Sequence, residues 1–207
     1  MKLFFQYCSY GFSNCYILGS DDSGTPESNA AIIVDPGSME NITLETIENN
    51  NFDIKAVLVT HDHISHVRGL RTLKRIYNAE VFAVNQNIMD HKTTMVKDGD
   101  QFNIAGFSVE VISIPGHSSD SLVYRIRGML FTGDVLTAGL VGSTASAYGA
   151  TTQMNKLRSR LLSLPGDYLV LPGHGPPSTL EAERRFNTDI LNYDLNRTKR
   201  PLFRVDV

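Results

Sequence analysis

The chain has 207 residues, is 42% hydrophobic and 20% charged, and carries a formal net charge of -3. That is enough to bury a core in a single domain over residues 1–207, with no run near the ~18 apolar residues of a membrane span and no pull toward a phosphate backbone. Cys8 and Cys15 are too few for a disulfide framework, and Met1 to Tyr10 reads as a first strand and not a signal peptide, so the cytoplasm is the expected compartment.

In chain order, Phe4 to Cys8 and Cys15 to Leu18 read as strands around a polar turn. Ser20 to Ser28, rich in Gly, Pro, Asp and Ser, reads as a hairpin loop. Ala30 to Val34 is an apolar strand closed by Asp35-Pro36-Gly37, and Met39 to Asn49 is expected to be helical. Ala56 to Val59 shows no alternation, as expected of a strand covered on both faces. Apolar residues at 67, 70, 73, 76 and 77 predict a helix over Val67 to Tyr77. Glu80 to Val84 and Phe107 to Ile114 are further strands, separated by a turn at Asp98-Gly99-Asp100. Leu122 to Ile126 and Met129 to Phe131 form a hairpin about Arg127-Gly128. A helix over Gln153 to Leu164, a strand over Tyr168 to Leu171 and a final helix from Thr179 or Leu180 to about Tyr193 complete the order. The basic cluster from Arg197 to Arg204 reads as a solvated tail. Strands and helices in both halves, without a repeated unit or linker, point to two packed sheets with helices outside and functional loops at one edge.

Those loops hold the chemistry. Five of the six histidines stand at strand ends: His61, His63 and His66 in Thr60-His61-Asp62-His63-Ile64-Ser65-His66, and His117 and His174 in Pro-Gly-His turns. Asp134 follows the strand that ends in Thr132-Gly133. Imidazole and carboxylate are the ligands that zinc and similar divalent ions take. His61 and His63, two apart on extended chain, face one way and can share an ion. His66, beyond the turn, can face a second. One arrangement is His61, His63, His117 and Asp134 for the first ion and His66, His174 and a bridging Asp134 for the second. Water between two such ions becomes a nucleophile near neutral pH, which makes ester, thioester, amide or phosphodiester hydrolysis the natural chemistry. His91 has no ligand-like neighbours and reads as a surface residue. Asp62 points away from its flanking histidines, and Asp35 reads as a hydrogen-bonding residue of its own turn, with a supporting role beneath the site as the alternative.

These motifs, with Asp35-Pro36-Gly37, Pro115-Gly116-His117-Ser118, Phe131-Thr132-Gly133-Asp134 and Pro172-Gly173-His174-Gly175-Pro176, resemble those of metallo-beta-lactamase-fold hydrolases, nearest the hydroxyacylglutathione hydrolase (glyoxalase II) branch. The resemblance implies an α/β fold, a four-layer αβ/βα sandwich, with metals at the sheet edge. It maps the family's ligands onto His61, His63, His117 and Asp134 for one metal and onto His66, His174 and Asp134 for the other. Three departures accompany it. Ser65 stands where the family has its second-metal aspartate. The stretch Ala138 to Thr144 lacks the basic residues that clamp glutathione in glyoxalase II, with Tyr148 the only aromatic nearby. The chain after His174 leaves room for one helix and a tail, not the family's C-terminal helical region.

The expectation is a metal-dependent hydrolase of a small ester, thioester or related substrate, with Asp134 both ligand and orienter of the attacking water. Zinc is the expected ion, one held tightly and a second weaker or absent, with iron or manganese as alternatives. Rival readings are an iron-dependent persulfide dioxygenase, a metal-dependent nuclease and a non-catalytic metal-binding protein. The expected partner is a small molecule, with neither nucleic acid nor membrane; the oligomeric state is open. A pocket lined by Leu136 to Tyr148 would be mainly neutral, whether that segment is a tight turn, a mobile lid or a plain loop.

Overall fold

The apolar runs of the sequence become strands buried on both faces. A computed structural model describes residues 1–20 and 28–193. Most of the 20–28 loop and the basic cluster at 197–204 lie outside them. The first half holds strands β1 (Lys2–Tyr7), β2 (Asn14–Gly19) and β3 (Ala30–Val34), helix α1 (Asn41–Asn49), β4 (Asp53–Leu58), the short helices α2 (Ile64–Val67) and α3 (Leu70–Ile76), and β5 (Glu80–Ala83). Short pieces follow at β6 (Asn87–Ile88), β7 (His91–Lys92) and β8 (Thr94–Met95). The second half holds β9 (Gln101–Ile104), β10 (Phe107–Ser113), β11 (Leu122–Ile126), β12 (Met129–Gly133), β13 (Leu136–Thr137), β14 (Leu140–Val141) and α4 (Ala147–Lys156). A π-helical turn (Leu157–Leu161), β15 (Leu169–Pro172), β16 (Ser178–Thr179), α5 (Leu180–Phe186) and α6 (Thr188–Asn192) close the order.

Two six-stranded sheets form, in the orders β1-β2-β3-β4-β5-β8 and β16-β15-β12-β11-β10-β9. Tyr16, Ile32, Val34 and Leu58 of the first meet Phe107, Val109, Tyr124 and Phe131 of the second in one buried cluster. The alternate residues Ile17, Ile33 and Val57 face outward and pack with Ile47 of α1 and Leu70 and Leu73 of α3. On the far side Ile112, Val123 and Val170 pack with Met154 of α4, Leu180 of α5 and Ile190 of α6. The layers therefore run helix, sheet, sheet, helix, the α/β sandwich expected. Side chains alternate between two apolar environments, which removes the polar alternation of a half-exposed strand.

Several boundaries differ from the sequence reading. The helix expected over Val67 to Tyr77 is two pieces, because the Gly69 amide donates to the Pro36 carbonyl (2.7 Å). The helix expected from Gln153 starts at Ala147, where the Ser146 hydroxyl accepts from the Gly149 amide. The final helix breaks at Asn187, whose side chain caps α6 by accepting from the amides of Asp189 and Ile190. Strand β9 carries only four residues of half-exposed pattern and gave no periodic signal.

Candidate metal centre

The parallel pairs β3–β4 and β12–β15 carry their C-terminal ends to one edge of the sandwich. Asp35 follows β3, Thr60 and His61 follow β4, and His63 and His66 sit at and within α2. His117 lies in the loop after β10, Asp134 follows β12, and His174 follows β15. The two halves are tied there by the Leu122 amide donating to the Thr60 carbonyl (2.8 Å) and the Asn14 amide donating to the Gly173 carbonyl (2.7 Å).

All six sequence-predicted residues converge. Ligand atoms of His61, His63, His117 and Asp134 lie within 4.8 Å of one another, and so do those of His66, Asp134 and His174. Asp134 Oδ2 is 3.7 Å from His61 Nε2, 3.4 Å from His66 Nε2 and 3.6 Å from His117 Nε2. His63 turns Nδ1 to the same place, 2.9 Å from His61 Nε2 and 3.1 Å from His117 Nε2. His91 belongs to neither group and lies in the β6–β7 ribbon.

The hydrogen bonds behind the rings decide which nitrogens face inward. A carbonyl or carboxylate oxygen only accepts, so His117 Nδ1 must donate to the Ser143 carbonyl (2.9 Å) and His66 Nδ1 to Asp35 Oδ2 (2.9 Å). The Thr60 hydroxyl donates to Asp35 Oδ2 (2.6 Å), which leaves its oxygen to accept from His61 Nδ1 (3.1 Å). His174 Nε2 donates to the Gly11 carbonyl (3.1 Å) and turns Nδ1 to Asp134 Oδ1 at 2.8 Å. Neutral rings held this way point bare lone pairs at one another and at a carboxylate, which is repulsive unless protons or cations lie among them. His66 Nε2 is buried with no hydrogen-bond partner. A divalent ion satisfies that donor set, and the outer oxygens behind His61, His66, His117 and His174 are the usual support for metal-ligating imidazoles. The residues therefore fit such an ion.

Electrostatics agree with this crowding. Burial lowers His61 to about 3, helped by the neighbouring His66 charge. Burial also works against a charged His66, but the neighbouring Asp134 carboxylate and the Asp35 carboxylate that accepts from it carry it up to about 10. Asp134 is held well below the usual carboxylate range: burial raises it, and the bond from His174 and the adjacent His66 outweigh that. Protons are thus held at His66 and His174, beside Asp134, and not at His61, and a cation would displace them.

Asp35 is the residue whose place the sequence least revealed. It is 2% exposed, and its carboxylate accepts from the Thr60 amide (2.8 Å) and hydroxyl as well as from His66. It therefore serves the site and not its own turn, from a backbone held at positive φ (50°) just past the end of β3. Asp62 stays outside, as expected, its amide donating to Asp120 Oδ2 (2.9 Å).

A cavity of about 540 Å³ opens beside the site, lined among others by Phe12, Leu140, Val141, His117, Asp134 and Asp189. The segment after Asp134 is a β13–β14 hairpin followed by the start of α4, and residues 137–143 supply most of one wall. Tyr148 is not in that wall; it is 82% exposed on α4, because the capped start of the helix turns it outward. The hairpin is held from behind. The Gly139 amide donates to both oxygens of buried Glu183 (3.1 Å each), and the Val141 amide to Asp189 Oδ2 (2.9 Å).

The chain is 35% identical over 148 residues to the hydroxyacylglutathione hydrolase of Aeromonas salmonicida, across 70% of this chain and 57% of that protein. It thus spans little more than half the length of that relative. It is 28% identical over 198 residues to the hydroxyacylglutathione hydrolase GloC of Haemophilus influenzae, across 84% of this chain and 91% of that protein. Its fold superposes on the crystal structure of ETHE1 from Myxococcus xanthus with a TM-score of 0.81 at 24% identity, covering 94% of this chain and 86% of that one. The family model of the metallo-beta-lactamase superfamily matches residues 9–174, a span that contains every one of the converging donors. The chain belongs to the metallo-beta-lactamase superfamily.

Proposed function

We propose that the protein is a metal-dependent hydrolase of a small ester, thioester or related acyl compound. The observation that carries this reading is the set of inward-facing imidazole nitrogens around Asp134, opening on a cavity large enough for a small substrate. His61, His63, His117 and Asp134 would hold one ion, and His66, His174 and the shared Asp134 a second. Zinc suits the nitrogen-rich donors best, with iron or manganese as alternatives. Such an ion supplies Lewis-acid activation of water and of a carbonyl group.

The chain's own residues do the rest. Asp134 turns Oδ2 toward His61, His66 and His117 and Oδ1 toward His174, and so can orient an attacking water as well as link the two positions. The Asp35–Thr60 pair fixes the His61 and His66 rings before substrate arrives, so little reorganisation accompanies reaction. Leu140 and Val141 add apolar surface to the cavity wall, which strengthens charge interactions near it. No Lys or Arg lines the cavity among the described residues, which favours a compact acyl compound over glutathione thioesters.

The test is elemental analysis of the purified protein, with turnover of a short acyl thioester and of a glutathione thioester compared on the same sample. The reading expects bound metal and the faster rate with the short thioester. Protein that takes up no zinc, iron or manganese under any loading condition would sink it. Faster turnover of the glutathione compound would restore that substrate class.

A further inference from the structure

Among the described residues, Asp189 is the one ionisable side chain lining the cavity outside the candidate metal centre. It stands in the first turn of α6, half-buried, where the Asn187 cap fixes the backbone. Only one of its oxygens is engaged, Oδ2 accepting from the Val141 amide (2.9 Å). Among the described residues no cation pairs with it. Arg158, the closest in the fold to this helix by its bonds, spends its guanidinium on the carbonyls of Ile190 (3.1 Å) and Tyr193 (3.3 Å). Arg68 lies over the Tyr10 ring, 3.9 Å from its centroid, and is not in the cavity wall. Apart from Asp189 and the candidate ligands His117, Asp134 and His174, the cavity lining is apolar or neutral, with Thr137, Leu140 and Val141 among it.

We infer that Asp189 selects substrates whose non-reacting end carries a positive charge, such as a primary or quaternary ammonium group, and rejects those that end in a carboxylate. This rests on the hydrolase reading and names its substrate class. A carboxylate with a free oxygen in a partly desolvated wall attracts a cation more strongly than it would in water. An anionic tail placed there meets like charge and loses its water without gaining a partner. The cavity is thus divided, with an electron-rich carbonyl oxygen suited to the end where the histidines and Asp134 would hold a cation, and positive charge to the α6 wall.

The test uses two thiols of similar size, 2-(trimethylammonio)ethanethiol and 3-mercaptopropionate, and their acetyl thioesters. Calorimetry on zinc-loaded protein measures thiol binding, and thiol release measures turnover. The cationic thiol is expected to bind about tenfold more tightly in low salt, with the ratio shrinking as salt is added. Asp189→Asn keeps an oxygen to accept from Val141 and should bring the ratio to within about twofold; Asp189→Lys should invert it. Equal binding of the two thiols by the unaltered protein, an unchanged ratio in Asp189→Asn, or no binding of either thiol would overturn the assignment. If the thiols bind with the expected preference but neither thioester turns over, the hydrolase reading fails while Asp189 keeps its role. Turnover of both thioesters at equal efficiency, with equal thiol binding, does the reverse.

Discussion

Asp35 Oδ2 lies 2.9 Å from His66 Nδ1, and both groups are essentially out of solvent. The same carboxylate holds Thr60, which in turn holds His61, so one buried acid orients a ring in each half of the candidate metal centre. Asp35→Asn keeps the volume but loses the charge and one acceptor. It should weaken zinc binding by about 10–100-fold, the usual effect of losing an outer partner of a metal-ligating histidine. Competition with a chromophoric chelator measures this. An unchanged affinity would mean that the rings are held by packing alone.

The motif resemblance puts Ser65 at the family's second aspartate position, and the Tyr10–Phe12 turn leans on it: a Cβ on Gly11 would fall 2.5 Å from Ser65 Cβ. Ser65→Asp would supply a charged oxygen beside His66 and His174, at the expense of moving that turn and the Gly11 carbonyl that His174 uses. Zinc content should rise from about one ion per chain toward about two, with a lower melting temperature for the metal-free protein. Anomalous scattering from crystals of both forms locates the added ion. Equal occupancy in the two proteins would show that serine, or the Gly11 carbonyl, already completes the second position.

Gly173 leaves room that no other residue could. An added Cβ would lie 2.4 Å from both Asp134 Oδ1 and His66 Cε1. Gly173→Ala should therefore destabilise the fold by about 1–3 kcal/mol and reduce metal affinity further than stability. Thermal melts with and without zinc separate the two: the shift that zinc produces in the parent should nearly vanish in the variant.

Glu183 is 2% exposed and accepts from the Gly139 amide, the Ser178 hydroxyl (2.5 Å) and the Asn187 amide group (2.7 Å). Glu183→Ala strands these donors and should cost about 2–4 kcal/mol. The local reading is hydrogen exchange: amides of residues 136–141 should exchange faster than those of β10 and β12, which do not depend on this anchor. Uniform acceleration across the chain would place the loss in global stability instead.

The strands were the most legible part of the molecule, since Ala30 to Val34 and Ala56 to Val59 are apolar at every position and lie between two apolar layers. The six donors were legible for a related reason: each follows such a strand, where a turn meets the sheet edge. Asp35 was not, because its partners Thr60 and His66 are brought to it by the pairing of β3 with β4, a long-range contact with no local signature. Glu183 and Asp189 read as ordinary helical acids, and only the docking of α5 and α6 behind the β13–β14 hairpin gives them amides to hold. Tyr148 was placed near the pocket by its distance along the chain, and the helix start turns it away.

The first strands and the last turn of the site are sewn together: Asn14 Nδ2 donates to the carbonyls of Pro172 (2.9 Å) and Gly175 (2.7 Å), and the Tyr16 hydroxyl to Pro172 (2.6 Å). A ribosome delivers these groups far apart in time. While residues 61–66 emerge, their histidines have neither Asp134 nor the Asn14-anchored turn that carries His174, and any ion they catch is held by an incomplete set of ligands. The full centre can form only after the second sheet has been synthesised and has closed on the first. A cation suited to these donors would therefore meet all of its ligands only in the folded chain, and its binding would add to the stability of the closed sandwich and not of the emerging half.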